Sequence, residues 1–350
     1  MRKLILTLSL CAILSVVATA APTIYVVQPD YNFGSIVEGI AVEHTFVLQN
    51  TGDEVLEISG IRASCGCTTA DLATDSIEPG ESVDLEVLID TAGFGGTISK
   101  TITVYSNDPG TPLLSLRVTG QVEKAEVHHI SASDAYYLLY LLIDLRTAEE
   151  YQANHIFGAV NIQPDELVET LANLPRETFI ILYDASFEAS DAAALDMRNE
   201  GFYFTHALVG GLNEWVHQYG MKFITNATEY YELPPRVSYV YEEGEEKPSY
   251  HLLANDLNYL FYLYVDVRTA DEYATGHVMG AINIPFEELE SWIDLLPRGI
   301  LMITYDETGV LGDEAALMMI NNDFSSVQSM LGGLDEWVRQ YGDSHLFGSS

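Results

Sequence analysis

The sequence predicts a multidomain chain, an N-terminal all-β sandwich followed by two α/β domains with parallel sheets. Three observations carry this. Residues 23–122 mix β-branched residues with turn signals, a long segment recurs at a constant offset of 122, and within each copy short apolar runs alternate with helix-like patterns. At 350 residues the chain has room for two or three domains.

In the first region, Gly80-Glu-Ser-Val-Asp-Leu-Glu-Val-Leu-Ile-Asp90 alternates polar and apolar residues, and Thr101-Ile-Thr-Val-Tyr-Ser-Asn-Asp-Pro109 closes a similar run with turn residues. Short alternating strands between Gly, Pro and Asn turns predict an antiparallel immunoglobulin-like sandwich of residues 21–125. The repeat follows. Asp144-Leu-Arg146-Thr-Ala returns as Asp266-Val-Arg268-Thr-Ala, and Gly210-Gly-Leu-Asn-Glu-Trp215 as Gly332-Gly-Leu-Asp-Glu-Trp337. Residues 130–220 and 252–342 agree without gaps at about 40 positions, so one domain has been duplicated. Ile143-Asp-Leu145 and Phe179-Ile-Ile-Leu-Tyr183 read as buried strands, and Asp191–Glu200 before Gly201 as a helix. Such alternation implies a parallel sheet with sites at the carboxyl ends of its strands. The domains are expected at 126–220 and 251–345, joined by a linker at 221–250 rich in Tyr, Pro and Glu.

Ahead of these, Met1-Arg-Lys3, an apolar run from Leu4 to Val17 and Ala18-Thr19-Ala20 have the form of a signal peptide cut after residue 20. The protein is therefore expected to be exported, periplasmic or secreted, with no membrane span after cleavage. Charge narrows the partners. The chain carries 52 Asp and Glu against 15 Lys and Arg, a formal −37, spread as −11, −12 and −13 over residues 21–125, 126–220 and 251–350. Such a surface repels polyphosphate and anionic lipid, which excludes nucleic acid as a partner and leaves an unknown protein partner.

The repeat also carries a resemblance. Asp266-Val-Arg-Thr-Ala-Asp-Glu272, Gly276-His277-Val-Met-Gly280-Ala281-Ile-Asn-Ile-Pro285 and the Gly-Gly-Leu-x-Glu-Trp ending are similar to the framework of the rhodanese family; the first copy has Asn154 and Gln163 for the glycine and proline. The resemblance implies a sulfurtransferase fold whose active cysteine follows the central strand, in a loop like Cys-x-x-Gly-x-Arg-Ser. Here Asp184 and Asp306 stand at the cysteine positions, and Ala189 and Leu311 at the arginine. A carboxylate takes up no sulfane sulfur as a persulfide and repels thiosulfate. The six residues after each aspartate agree at no position, although the framework has been kept. Loss of sulfur transfer from both copies is the expectation, with the aspartates accepting loop amide hydrogen bonds. Asp144, Arg146 and Glu150, like Asp266, Arg268 and Glu272, are read as scaffold ion pairs, His155 and His277 as structural histidines, and Trp215 and Trp337 as core. No cofactor is implied.

Ser64-Cys65-Gly66-Cys67-Thr68 lies in the β-rich region. With Pro79-Gly80-Glu81-Ser82 and Ser106–Pro109 it resembles an exported immunoglobulin-like family known only as a domain of unknown function. Cys65 and Cys67 are the redox or metal candidates: two thiols one residue apart bind a soft ion such as Cu(I), close a disulfide, or exchange with a partner, and the sequence leaves these alternatives open.

Overall fold

The computed structural model describes residues 20–221, 223–225 and 247–348; the signal-like segment and most of the expected linker lie outside the described residues. The described residues fall into two compact units, one drawn from 20–34, 42–89 and 97–121, the other from 35–41, 90–96 and those from 122 onward, which takes in both repeats.

The first unit is built on nine strands: Ile24–Tyr25 (β1), Asp30–Val37 (β2), Val42–Asn50 (β3), Leu56–Ala63 (β4), Thr68–Leu72 (β5), Ser76–Ile77 (β6), Ser82–Ile89 (β7), Gly96–Ser106 (β8) and Leu113–Glu123 (β9). They form two sheets, ordered β1-β3-β7-β5 and β2-β9-β8-β4-β6. The alternation read from the sequence is the burial pattern: Val83, Leu85, Val87 and Ile89 turn inward along β7 while Ser82, Asp84 and Glu86 face water. Antiparallel pairing sets Phe46 of β3 opposite Leu85 and Leu48 opposite Val83, all four buried.

The first repeat contributes His129–Ile130 (β10), Ala132–Leu138 (α1), Tyr140–Asp144 (β11), Ala148–Ala153 (α2), Ala159–Asn161 (β12), Leu167–Thr170 (α3), Phe179–Tyr183 (β13), Glu188–Asn199 (α4), Thr205–Leu208 (β14) and Gly211–Tyr219 (α5). The second contributes His251–Leu252 (β15), Ala254–Leu260 (α6), Tyr262–Asp266 (β16), Ala270–Thr275 (α7), His277–Val278 (β17), Ile282–Asn283 (β18), a 3-10 turn at Phe286–Glu288, Leu289–Trp292 (α8), Leu301–Tyr305 (β19), Val310–Asn321 (α9), Val327–Met330 (β20), Gly333–Tyr341 (α10) and Leu346–Phe347 (β21). Each repeat yields a five-stranded parallel sheet covered by helices, as expected for strands with near-continuous apolar runs such as Phe179–Tyr183.

The sheets exchange their edge strands. One is ordered β12-β11-β13-β14-β15 and the other β10-β20-β19-β16-β18, so each takes its outermost strand beside β14 or β20 from the other repeat. Leu252 pairs with Leu208, and Ile130 with Met330. The helices travel with the strands: Leu257 and Phe261 join Trp215 and Phe223 in one core, and Ala132, Ala135 and Leu139 join Trp337 in another. A local cause is visible. Only Leu139 separates α1 from β11, and only Phe261 separates α6 from β16. Helix-to-strand connections usually take two to six residues. A single residue leaves no length to reverse the chain, so each β–α segment continues outward onto the neighbouring sheet.

Candidate functional site

The site begins where β13 and β19 end. Tyr183 and Tyr305 are fully buried, and the next residue in each copy is the aspartate, at 8% and 5% exposure. The loop then turns into helix α4 or α9 through one residue with left-handed backbone, Phe187 (φ 110°) or Gly309 (φ 88°). Glycine takes that conformation freely; a phenylalanine there is strained, and it is held by burial of its ring, edge-on to His251 at 5.0 Å.

Each aspartate fills its own loop. Asp184 accepts hydrogen bonds from the N–H groups of Phe187 and Ala189 (2.8 Å for the latter) and from the Ser190 hydroxyl (3.2 Å). Asp306 accepts from the Gly312 N–H at 3.0 Å and from the Thr308 N–H and hydroxyl, both at 3.3 Å. Amides at a helix start bind anions because they lack intrahelical partners. In both loops the anion they bind is the carboxylate of the chain itself. The expectation that these aspartates accept loop amides therefore agrees with the geometry.

The Gly-Gly-Leu-x-Glu-Trp segment braces the loop from below. The Leu212 and Asn213 N–H groups donate to the Asp184 and Ala185 carbonyls at 2.9 and 3.0 Å, and Leu334 and Asp335 do the same for Asp306 and Glu307 at 2.8 and 2.9 Å. The close approach explains the second glycine: a Cβ on Gly211 would stand 2.4 Å from the Asp184 carbonyl oxygen, and one on Gly333 equally near that of Asp306. Trp215 and Trp337, one turn on, are buried as expected.

No Lys or Arg occurs in residues 184–190 or 306–312. The framework cations Arg146 and Arg268 are already engaged. Arg146 and Arg268 are buried against Asp144 and Asp266, with Nη2–Oδ2 distances of 2.6 Å in both copies. Arg268 also binds Glu307, inside the second loop, at 2.8 Å. Burial works against the Arg268 charge, but Asp266 and Glu307 outweigh it and hold the guanidinium protonated. Glu150 and Glu272 make their hydrogen bonds elsewhere and feel the Arg146 and Arg268 charges only as a smaller attraction, which revises that part of the sequence reading. Each sits at the third position of a short helix and closes a capping box with Thr147 or Thr269. Hydrogen bonds from the threonine hydroxyl and N–H hold both carboxyls below their usual range.

His155 and His277 are structural in their contacts. Each ring stacks on the tyrosine four residues earlier, at 3.8 and 3.6 Å, with Nδ1 on that residue's carbonyl at 2.7 and 2.9 Å. Burial pushes both below the ordinary histidine value, as it does His44, His206 and His345. On acidification the unfolded chain takes up these protons first, near pH 6.5, while the folded chain resists. Stability is therefore present above that pH and declines as pH falls through it. We expect the melting temperature to drop steadily between about pH 7.5 and 5.5, and less steeply in a His155→Gln/His277→Gln variant; an unchanged slope would count against these two histidines as its source.

In the first unit, the structure joins Cys65 and Cys67 by a disulfide in the half-buried turn between β4 and β5, with the Thr68 hydroxyl 3.4 Å from the Cys65 sulfur. Of the alternatives for this pair, bridging is the one present.

Residues 125–218 and 249–340 match the family described as rhodanese-like domain. The chain belongs to the rhodanese-like family. Residues 24–122 match a second family, described as a protein of unknown function, DUF1573. Among curated proteins, the thiosulfate sulfurtransferase 16 of Arabidopsis thaliana is 26% identical over 99 residues, covering 25% of this chain and 82% of that protein. The tRNA uridine(34) hydroxylase of Hamiltonella defensa is 31% identical over 83 residues, but the match spans only 23% of its length and 22% of this chain. A rhodanese-related protein from Thermoplasma volcanium is 25% identical, with a TM-score of 0.23 over 25% of this chain and 88% of that one.

Proposed function

We propose that this is an exported binding or scaffold protein, periplasmic or secreted, whose two rhodanese-like domains no longer transfer sulfur. One observation carries the reading: in both loops an aspartate replaces the thiol and takes two backbone amides, of Phe187 and Ala189 or of Thr308 and Gly312, that would otherwise be open to a substrate anion. Three features support it. The loops hold no Lys or Arg, Glu307 adds a second negative charge beside Arg268, and the loop sequences have drifted apart while the framework has not. A retained shared reaction would resist that drift. The proposed partner is a protein, since the even acidity of the surface disfavours nucleic acid.

A second reading rests on the Cys65–Cys67 bridge. A dithiol partner can reduce it by exchange, the two electrons and two protons passing to Cys65 and Cys67 while the partner closes its own disulfide. The rhodanese-like domains would then dock that partner. Cu(I) handling needs the same reduction first, because a bonded disulfide offers no thiolate.

One experiment separates these. Purified protein is incubated with thiosulfate, assayed for transfer to cyanide, and then weighed by mass spectrometry. We expect no thiocyanate above a protein-free blank and no added sulfur. Thiocyanate above the blank overturns the proposal, and a persulfide on Cys65 or Cys67 in a parallel sample, reduced and freed of reductant before thiosulfate is added, moves the chemistry to the second reading.

A further inference from the structure

Outside the loops, three side chains from distant parts of the chain converge. His128 and His129, at the start of β10, both place Nε2 on one carboxylate oxygen of Asp313 in α9, at 2.8 and 2.9 Å. The two rings lie 4.4 Å apart, and the three donor atoms all fall within 4.8 Å of one another. All three residues are half-buried, and His128 also lines an open groove of about 790 Å³ with Leu317 and Phe324, which leaves room for water.

The duplication shows what a histidine–aspartate pair does here without the third group. His251 and Asp191 occupy the corresponding positions, 122 residues from His129 and Asp313, and meet at 2.7 Å across the other exchanged strand. Tyr250 stands where His128 would be. One His–Asp hydrogen bond thus fastens each exchanged strand in both copies. The second imidazole on the same oxygen is peculiar to one copy, and strand fastening does not require it.

Two imidazole nitrogens and one carboxylate oxygen are the donor set of a borderline divalent ion, and three such ligands with an open side match a four-coordinate zinc site completed by water. We propose that His128, His129 and Asp313 bind a divalent transition-metal ion of the Zn2+ type, clamping β10 of the first repeat to α9 of the second. Ligands about 2.0 to 2.1 Å from zinc in a tetrahedron stand about 3.3 Å apart, so each imidazole nitrogen need only draw back from the Asp313 oxygen by about half an ångström, with both nitrogens already within 4.8 Å of each other. His129 Nδ1 accepts a long 3.3 Å bond from the Glu126 N–H. Metal on Nε2 places the ring proton on Nδ1 and releases that bond, a small cost at an exposed turn. The excess of acids over the whole chain favours any cation's approach.

The test uses full-length protein with the Cys65–Cys67 bridge intact, so that no thiol competes. Titration with Zn2+ is expected to give one equivalent at roughly micromolar affinity and a higher melting temperature, and Co2+ is expected to give the intense visible bands of a four-coordinate site. His128→Gln and Asp313→Asn are each expected to weaken binding by at least about tenfold, while Asp191→Asn leaves it unchanged. Asp313→Asn also alters the strand fastening; His128→Gln leaves the His129–Asp313 bond in place and so carries the test should the former melt early. Absence of binding at these concentrations, or binding untouched in His128→Gln, overturns the site.

Discussion

The first repeat made alone, residues 123–225, is expected to assemble as a dimer or to aggregate, not to fold as a monomer. In the intact chain its sheet is completed by β15, and its apolar face is closed by Leu252, Leu257 and Phe261 of the second repeat. Phe261 lies 5.6 Å from the Trp215 ring and 5.0 Å from that of Phe223. Without these residues the β14 edge and the tryptophan face lie open, and an uncovered edge recruits another chain. The isolated repeat carries its own β10–α1 segment but cannot turn it back, since Leu139 alone joins α1 to β11. Two copies can trade those segments. His129 and Ile130 are the counterparts of His251 and Leu252, so Asp191 would receive a histidine from the partner copy. Light scattering coupled to size exclusion reads the mass. A variant of the same repeat tests the cause: inserting about four flexible residues after Leu139 supplies the missing turn, and the repeat is expected to become monomeric. A stable monomer without the insertion would show that the short connection does not force the exchange.

Why this arrangement escapes the sequence is instructive. The strand and helix signals of β10–α1 are the same whichever sheet receives them, because the two sheets descend from one sequence. The information lies in the length of the connection. Reading the strand from Ile143 hides it, since β11 begins at Tyr140 and its aromatic start extends the strand back to the helix end. The duplicated framework, the loop aspartates and the buried tryptophans were all legible, since each is a local pattern repeated at a fixed offset. The roles of Glu150 and Glu272 were legible too, as Thr-x-x-Glu ahead of a helix, but the neighbouring Asp–Arg charges drew them into the wrong group. The cluster of His128, His129 and Asp313 has no local spacing at all. Its members are 185 residues apart at the widest and meet only through the exchanged strand.

Replacing Asp266 by alanine is expected to cost about 3–5 kcal/mol of stability, a loss well beyond that of an ordinary surface substitution. Asp266 is fully buried, and its two oxygens take four bonds from one residue: the Arg268 N–H at 3.0 Å, Nε at 3.0 and 3.2 Å, and Nη2 at 2.6 Å. The same guanidinium then reaches the Gly276 carbonyl at 2.6 Å, tying the end of α7 to the end of β16. Removal of the carboxylate leaves a guanidinium that is 5% exposed facing a void. Glu307, with its carboxylate half in solvent, compensates one nitrogen only. The cost is the stranded charge, not the lost attraction, because two buried ions repay little beyond their own desolvation. That distinction is measurable. An Asp266→Leu/Arg268→Met double variant removes both charges and keeps apolar volume, so it is expected to lose less than Asp266→Ala alone, in urea unfolding followed by tryptophan fluorescence from Trp337, which packs in the same repeat. A double variant that fell further than the single one would mean that the ion pair itself, rather than the avoidance of an unpaired charge, holds the strand end in place.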